Sequence, residues 1–379
     1  MLYELFNLNS DLMRKLHFYA WQNAQFRALL ALLTAFFMTL WMGPKFIRFL
    51  RAKKIGDRPE LYRPDLNASV QRKADTPTMG GIIIVLAIFV STVLWAKIID
   101  NFYVKMGLFV MIWLAVLGGI DDWLKLTRKE AKSRRGLLSW EKLVFQIGLG
   151  VIIAVFAYAH GKNVPASHEI IVPFITEPFN LPPLVYAIVT VIVLTGTSNA
   201  VNLTDGMDGL SAGCMTTVAF AFMVLALIAG SGSELMVNNK LLADYLKMPS
   251  IPTADELAIF CGAILGACVG FLWFNCFPAQ VFMGDTGSLP LGGAIGYVAV
   301  VLCQEVMLLI VGGVFVMEAM SVMMQIGYFK STGGKRIFRA APIHYHFHLG
   351  GWTETQTVMR FWLIGAILAA IALATVKVR

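Results

Sequence analysis

Long apolar runs separated by short polar connections dominate the chain. Most runs approach the roughly 20 residues that a helix needs to cross the hydrocarbon core of a bilayer, and none alternates as a strand would. Helices are the expected spanning form, because they satisfy every backbone group within the segment. The pattern predicts about ten transmembrane helices, at residues 24–50, 77–98, 102–121, 140–160, 182–198, 210–230, 257–276, 287–303, 305–329 and 356–376.

The connections between the runs predict little other structure. In 161–183, β-branched runs broken by prolines predict a short periplasmic β-hairpin near 169–180. The polar connection 231–256 is expected to be irregular. We therefore expect an all-α integral membrane protein in which residues 1–379 form a single polytopic domain.

Basic residues predict the orientation of the helices. Seven Lys or Arg lie in 51–75, seven in 124–142 and four in 330–339, while the intervening connections carry few. Because Lys and Arg collect on the cytoplasmic side, these connections are expected in the cytoplasm and both termini in the periplasm. The net charge of +8 then reflects topology, and no nucleic-acid partner is indicated.

Composition agrees with this class. The chain is 58% hydrophobic and only 14% charged, whereas about a quarter of the residues in a soluble domain are charged. The five cysteines form no CxxC pair, so neither a disulfide framework nor a zinc site is expected. The chain has no Walker phosphate-binding loop, which disfavours an ATP-driven pump.

Two adjacent acids, Asp121 and Asp122, end the third apolar run. A solvated helix end would explain them, but carboxylates there oppose the helix dipole, which favours a bound cation. Neighbouring helical residues project about 100° apart, so the two acids should differ in role. Asp285, in "GDTGS", is either a metal ligand or a simple N-cap of the eighth run.

Four polar residues spaced by three follow the fifth run: Asn199, Asn202, Asp205 and Asp208. In a helix they would form one stripe of oxygen-bearing side chains, although Asp-Gly pairs are also common in turns. Every dense group of polar side chains is thus predicted on the cytoplasmic face. Carboxylates and amides are hard ligands for Mg²⁺, and such a set suits metal-assisted phosphoryl transfer.

The last cytoplasmic connection contains three histidines, His344, His346 and His348. Pro342 disfavours helix at the residue before it, and in an extended chain His344 and His346 would point the same way. They are candidates for binding phosphate or for packing at the membrane surface.

The ninth run contains an intramembrane acid, Glu318, which is a functional candidate by default; a hydrogen bond to a neighbouring helix is the alternative. Gly312 and Gly313 would let this run either bend or pack closely against a neighbouring helix.

These motifs resemble those of the bacterial phospho-N-acetylmuramoyl-pentapeptide transferases, within the polyprenyl-phosphate N-acetylhexosamine-1-phosphate transferase superfamily. The matching segments run in the family's order, from about Trp41 to the C-terminus. They are "TPTMGGI" (76–82), "GGIDDWLK" (118–125), "SNAVNLTDGMDGL" (198–210), "VFMGDTGSL" (281–289), "EAMSVMMQ" (318–325) and "APIHYHF" (341–347).

The resemblance implies an inner-membrane enzyme of peptidoglycan synthesis, and hence of cell shape and division. Phospho-N-acetylmuramoyl-pentapeptide would pass from UDP-N-acetylmuramoyl-pentapeptide to undecaprenyl phosphate, giving lipid I and UMP, with Mg²⁺ as cofactor and a homodimer as the assembly. A direct attack by the lipid phosphate is favoured over a two-step route through a phosphorylated aspartate, because phosphoryl transfer needs no covalent step.

The resemblance also implies roles for individual residues. Asp121 would act on the lipid phosphate as base or nucleophile, Asp285 would bind Mg²⁺ together with Asp122 and Asp208, and His344 would complete the catalytic set. Phe282 would lie near the uracil. The other substrate-binding residues would be Lys73, Lys125, Lys142, Asn199, Asn202, Asp205, Asp208, Gln325 and His346.

Two departures and two alternatives accompany this reading. Tyr345 stands where the family has a histidine, so that position needs no titrating group, and His348 replaces a glutamate. A sister enzyme using UDP-N-acetylglucosamine is the nearer alternative. A secondary transporter is the more distant one, since it predicts acids near the middle of spans.

Overall fold

The computed structural model describes residues 1–8, 19–53, 76–127, 136–175, 177–230, 236–237 and 240–376. Most of them are helical. The helices are α1 Leu2–Leu8, α2 Ala24–Ala52, α3 Gly81–Trp95, α4 Phe102–Thr127, α5 Ser139–His160, α6 Pro183–Thr204, α7 Leu210–Gly230, α8 Leu242–Tyr245, α9 Glu256–Asn275, α10 Asp285–Val301, α11 Glu305–Val311, α12 Gly313–Ser331, α13 Ile343–Leu349 and α14 Glu354–Thr375. Short 3₁₀ turns cover Ala20–Gln22, Gly161–Asn163 and Pro165–His168.

Each predicted span coincides with a helix, and the chain is a multi-pass membrane protein. Among the described residues, seven helices are long and apolar enough to cross a bilayer, or eight if α11 and α12 together make one span. Helix α3 is apolar but shorter. The total of ten crossings and the side of each terminus remain predictions.

The ninth predicted span is not one straight helix. Helices α11 and α12 meet at an angle of 87°, and Gly312 lies at the break. Glycine disfavours a continuous helix because it loses more backbone conformational freedom on becoming helical than any other residue does. The bend at the Gly312–Gly313 pair is therefore as the sequence indicated.

The described residues also form two small hairpins. Strands β1 Glu169–Ile170 and β2 Phe179–Asn180 pair antiparallel, which confirms the predicted hairpin. Strands β3 Met236–Val237 and β4 Lys240–Leu241 also pair antiparallel. The connection that contains them was expected to be irregular, and that expectation was wrong at this point.

Helices α9 and α10 form the centre of the bundle. Every residue of α10 is buried, and α9 is buried along most of its length. Glycines spaced by four on α9 allow α2 to pack closely against it. A Cβ at Gly262 would lie 2.5 Å from the carbonyl oxygen of Ala28, and a Cβ at Gly266 would overlap the carbonyl oxygen of Leu32. Small residues let helix backbones approach closely in membranes, and this contact fixes α9 against α2.

Candidate active site

Three carboxylates lie together where α4 meets the start of α10. Asp121, Asp122 and Asp285 are all buried, and each offers an oxygen within 4.8 Å of the others. The acid pair was expected to end its helix, but α4 continues to Thr127. Asp121 and Asp122 therefore lie within the last two turns of α4, facing protein rather than solvent.

Glycines allow the two helices to come this close. A Cβ at Gly118 would overlap the carbonyl oxygen of Asp285. Gly284 has a φ of +73°, and a Cβ there would lie 2.6 Å from Asp122 Oδ2. Because L side chains rarely adopt that conformation, glycine at 284 is required both by the backbone and by space.

Asp122 caps the N-terminus of α10. Its Oδ1 accepts the amide N–H of Asp285 at 3.2 Å, and its Oδ2 accepts the amide N–H of Thr286 at 2.9 Å and the Thr286 hydroxyl at 2.7 Å. Unpaired N–H groups and the positive end of the helix dipole favour a carboxylate there. Asp285 was considered as the N-cap, and this was wrong: Gly284 holds that position.

Two lysines face the carboxylates. Lys142 Nζ lies 2.7 Å from Asp121 Oδ2 and 2.6 Å from Asp285 Oδ2. Lys125 Nζ lies 2.7 Å from Asp121 Oδ2 and 3.2 Å from Asp285 Oδ1. Within the part of the chain that the structure describes, three carboxylates thus share two ammonium groups, and carboxylates outnumber the cations that face them.

The two asparagines separate in the structure. Asn202 Nδ2 donates to Asp285 Oδ1 at 2.8 Å and to Ser288 Oγ at 2.9 Å, so it belongs to the acidic site. Asn199 Nδ2 instead donates to Gln146 Oε1 at 2.8 Å and to a backbone carbonyl of its own helix. Gln146 is a buried polar residue that the sequence reasoning missed, although its place one turn after Lys142 was a usable signal.

The four residues spaced by three do not form a helical stripe. Helix α6 ends at Thr204, and Gly209 has a φ of +80°, so Asp205 and Asp208 lie in a turn. Asp208 Oδ2 accepts the Ala279 amide at 3.0 Å, and the Asp208 amide donates to Glu354 Oε1 at 3.0 Å. Their Asp-Gly steps favoured this turn over a continued helix.

Asp205 is electrostatically strained in this turn. Burial, followed by the negative charges of Asp285 and Asp122, raises the pKa of Asp205 to about 7, while the Gly284 amide lowers it. Because nearby like charges disfavour ionisation, the negative charges of the acidic site help to raise the pKa of Asp205.

The histidines lie on a short helix, α13, so the case of an extended chain, in which His344 and His346 would point the same way, does not apply. Pro342 stands at its N-cap, where a residue with no free N–H is tolerated. His344 is fully buried, and its Nδ1 lies 3.0 Å from Glu318 Oε2. His346 is half-buried, and its Nδ1 accepts the Arg339 amide at 3.2 Å. The two imidazole rings therefore have different partners: a buried carboxylate for His344 and a backbone amide for His346.

Two further predicted residues organise loops. Gln325 Oε1 accepts the Phe338 amide at 2.9 Å, and both residues line a cavity of about 350 Å³ beside α12. Phe282 is half-buried; its amide donates to the Pro77 carbonyl and its own carbonyl accepts the Gly80 amide, each at 2.8 Å. The 76–82 motif is thereby fixed to the loop before Asp285. Lys73 lies outside the described residues.

The donor set fits a hard divalent cation. Mg²⁺ prefers oxygen ligands, one or two of them carboxylates, with substrate phosphate supplying others. Asp285 and Asp121 each present an oxygen toward the lysines, whereas both oxygens of Asp122 accept hydrogen bonds from α10. Asp208 is not among the three clustered carboxylates, and its Oδ2 accepts a backbone amide.

Comparisons with known proteins point in one direction. The model of glycosyl transferase family 4 matches residues 104–303, and that of phospho-N-acetylmuramoyl-pentapeptide-transferase signature 1 matches residues 73–85. The phospho-N-acetylmuramoyl-pentapeptide-transferase of Desulfotalea psychrophila is 44% identical over 356 residues, which cover 93% of each chain. The first match includes the three clustered acids and both lysines.

Proposed function

The chain belongs to the phospho-N-acetylmuramoyl-pentapeptide transferase family, and from that premise we propose how its acidic cluster performs the transfer. The enzyme moves phospho-N-acetylmuramoyl-pentapeptide from its UDP donor to undecaprenyl phosphate, which gives lipid I and UMP. This is the first membrane step of peptidoglycan synthesis, and the enzyme is a multi-pass protein of the inner membrane.

The cluster of three acids and two lysines carries this proposal. Phosphoryl transfer depends mainly on positioning and on neutralising charge. Lys142 and Lys125 are held within hydrogen-bonding distance of Asp121 and Asp285, so they already point to the place where phosphate oxygens would bind. On substrate binding, each ammonium exchanges a carboxylate for a phosphate oxygen.

Asp285 and Asp121 are the residues that would hold Mg²⁺, with Asp122 fixing the start of α10 behind them. When bound, the ion would supply positive charge that offsets the negative charge developing during transfer. Asn202 orients Asp285 through the 2.8 Å hydrogen bond to Oδ1. A role for Asp208 as a further ligand is less well supported, because it lies outside the cluster.

The contacts of Asp121 favour direct attack by the lipid phosphate. Asp121 is fully buried; Oδ1 accepts the Leu137 amide at 2.6 Å, and Oδ2 contacts both lysines. Because both oxygens of Asp121 are already engaged by these contacts, Asp121 is better suited to holding the lysines in position than to attacking phosphorus. In this mechanism the polyprenyl phosphate oxygen attacks the β-phosphorus, and UMP leaves.

Isotope exchange tests the direct mechanism. A two-step route would exchange labelled UMP into UDP-N-acetylmuramoyl-pentapeptide without any lipid acceptor, because the first half-reaction runs alone. Direct transfer predicts no exchange until undecaprenyl phosphate is added. Exchange without acceptor, lost in Asp121→Asn, would establish Asp121 as the nucleophile.

The rest of the proposal concerns substrate placement. Phe282 and the 205–209 turn would hold the uridine, since an aromatic face suits a base. His344 and His346 would lie toward the sugar, and Lys73, Asn199 and Gln325 are assigned to the donor by resemblance alone. The positive-inside pattern supports a cytoplasmic site. We retain a homodimer, which native mass spectrometry in detergent would test.

Release of UMP by purified protein tests the function itself. UDP-N-acetylmuramoyl-pentapeptide and UDP-N-acetylglucosamine would be compared, each with undecaprenyl phosphate and with or without Mg²⁺. We expect metal-dependent turnover of the muramoyl donor alone. Turnover of only the smaller donor would move the protein to the sister branch of the superfamily.

A further inference from the structure

Glu318 and His344 form a fully buried pair that the proposed mechanism does not use. Glu318 lies on α12, just after the bend, and His344 lies on α13; both side chains are 0% exposed. Glu318 Oε2 is 3.0 Å from His344 Nδ1 and 3.5 Å from the His344 amide nitrogen. A titratable pair sequestered this completely is costly unless its members are paired and hydrogen-bonded, so the contact must be specific.

The other ring nitrogen of His344 faces the turn that carries two of the predicted donor-binding acids. Nε2 is buried and has no hydrogen-bond partner among the described residues. A Cβ at Gly206 would lie 2.5 Å from this nitrogen, so the Gly206 backbone packs directly on the imidazole. The hydroxyl of Tyr345 donates to the Gly206 carbonyl at 2.9 Å. His344 and Tyr345 thus both contact Gly206, within the turn that carries Asp205 and Asp208.

We propose that Glu318 is a positioning residue for the UDP donor, acting through His344 on the Asp205–Asp208 turn. The partner of one ring nitrogen sets the orientation and proton position of an imidazole. With Glu318 on Nδ1, the ring edge that carries Nε2 is held against Gly206. The inference rests on the proposed function, because it assigns this turn to donor binding.

The contact explains why an intramembrane acid follows the bend. The 87° turn between α11 and α12 changes the direction of the chain, and Glu318 lies within the first two turns of the new direction. The Glu318 carboxylate thereby connects α12 to α13 and, through the ring of His344, to the end of α6. A simple stabilising pair would not need to reach the turn.

The Arg27–Glu256 pair provides a matched control. Arg27 Nη2 lies 2.6 Å from Glu256 Oε1, and both side chains are 1% exposed. Like Glu318, Glu256 is a buried glutamate with a basic partner, but it begins α9 and touches none of the proposed site residues. Glu256→Gln therefore reports what loss of a buried pair does to stability alone.

The experiment compares steady-state kinetics of Glu318→Ala, Glu318→Gln and Glu256→Gln, normalised to folded protein. We expect Glu318→Ala to raise KM for UDP-N-acetylmuramoyl-pentapeptide about ten- to a hundredfold, the cost of leaving a buried partner unpaired. KM for undecaprenyl phosphate should not change. Gln keeps an acceptor oxygen for Nδ1–H and should restore most of the donor KM, while Glu256→Gln should lower Tm without moving either KM.

Three outcomes would overturn the inference: an unchanged donor KM in Glu318→Ala, an equal rise in both KM values, or no difference between the Ala and Gln variants. Should Glu318→Ala not fold, Glu318→Asp replaces it, since the shorter acid cannot reach Nδ1. Turnover by the wild type, measured first, reports on the proposed function separately.

A double-variant cycle tests the route through His344. If Glu318 acts through the ring, Glu318→Ala should add no further rise in donor KM to His344→Ala, whereas independent residues give additive effects. Additivity would refute the route.

Discussion

Buried charges occupy two regions near the opposite ends of α9, about 30 Å apart at 1.5 Å per residue, and the regions are built differently. At the start of the helix, Glu256 receives both Nη atoms of Arg27, at 2.6 and 2.8 Å. Near its end, Asn275 donates to the Val281 carbonyl at 2.9 Å, in the segment that leads to Asp285. There, three carboxylates share Lys125 and Lys142.

The two regions differ in their balance of charge. At the start of α9, Glu256 has a bidentate arginine, each side chain 1% exposed, and Lys97 Nζ lies 3.5 Å from Glu256 Oε1. In the acidic site, three carboxylates outnumber the two lysines among the described residues, and these lysines are 40% and 18% exposed. An acid with more than one basic partner keeps its geometry and serves stability. Carboxylates that compete for accessible cations can exchange partners, which a phosphoryl-transfer site requires.

The largest effect on activity is expected from Asp285→Asn, in the acidic site. We expect kcat to fall about a hundred- to a thousandfold, the usual cost of removing one charge-stabilising group, because residue 285 loses its negative charge beside both lysines. Tm should change by only about a few degrees, since the variant removes two ion pairs together with the repulsion between carboxylates. UMP release and a thermal unfolding scan check both. Turnover within about tenfold of wild type would exclude Asp285 from the site.

At the start of α9, a substitution is expected to lower stability and to leave activity unchanged. Arg27→Met removes the bidentate partner of the buried Glu256 carboxylate and leaves it with Lys97, whose Nζ is 3.5 Å away. Breaking such a buried pair costs about 3–5 kcal/mol. Denaturation of the purified variant should show that loss, while kcat per folded molecule is retained. The double variant Arg27→Met, Glu256→Leu should recover much of the stability, because an apolar pair needs no desolvation of charge. A loss of kcat would contradict the division between the two regions.

Neighbouring glycines sharpen the comparison within the site. Gly118→Ala places a methyl group against the Asp285 carbonyl and should push α10 away from α4, lowering kcat about a hundredfold, as a displacement near 1 Å can do. At Gly119 a Cβ would lie 3.9 Å from Thr286 Oγ1, an ordinary contact. Gly119→Ala should therefore behave as wild type in the same assay. Equal effects of the two variants would reject this role for Gly118.

The smallest effect is a difference in pH dependence. Burial raises the pKa of Asp205 to about 7 and that of Asp255, beside Glu256, to about 6, from 3.8 in each case. A raised pKa means that the folded state binds a proton which the unfolded state has lost. The free energy of unfolding is therefore highest below about pH 4, where each group is protonated in both states. It declines as the pH rises toward the pKa of the folded state.

Asparagine at either position should remove that decline. The Tm gain of Asp205→Asn should grow up to about pH 7, and that of Asp255→Asn only up to about pH 6, by a few degrees in each case. Scans from pH 4 to 8 in detergent with a chelator measure both. Parallel curves for the two variants would contradict the different pKa values.

The sequence predicted the positions of the helices well, because hydropathy reports directly which segments avoid water. The clustering of Asp121, Asp122 and Asp285 agrees with a common site for the polar motifs, whose place on the cytoplasmic face stays a prediction. The sequence could not predict that Asp122 caps α10, because the bond to Thr286 joins residues 164 apart. Nor could it place the end of α6 at Thr204 or the helix at His344, where tertiary contacts decide between turn, helix and extended chain.

Glu318 shows the limit of such reasoning. Its position in an apolar run marked it as a functional candidate, but its partner depended on the bend at Gly312 and on the short α13 helix. The buried Gln146, which holds Asn199, was signalled only by its place one turn after Lys142, and its partner could not be deduced from that spacing. Partners across long sequence separations are set by packing, which a single sequence does not display.

The glycine contacts have a consequence in genetic terms. Gly118 and Gly284 react with nothing, yet a side chain at either position would meet the backbone of Asp285 or the carboxylate of Asp122. We therefore expect substitutions at these glycines to lower activity, although neither residue takes part in the chemistry. An inhibitor that packs against this backbone contact would leave few routes to resistance, because a change that excluded the compound would also separate the two helices.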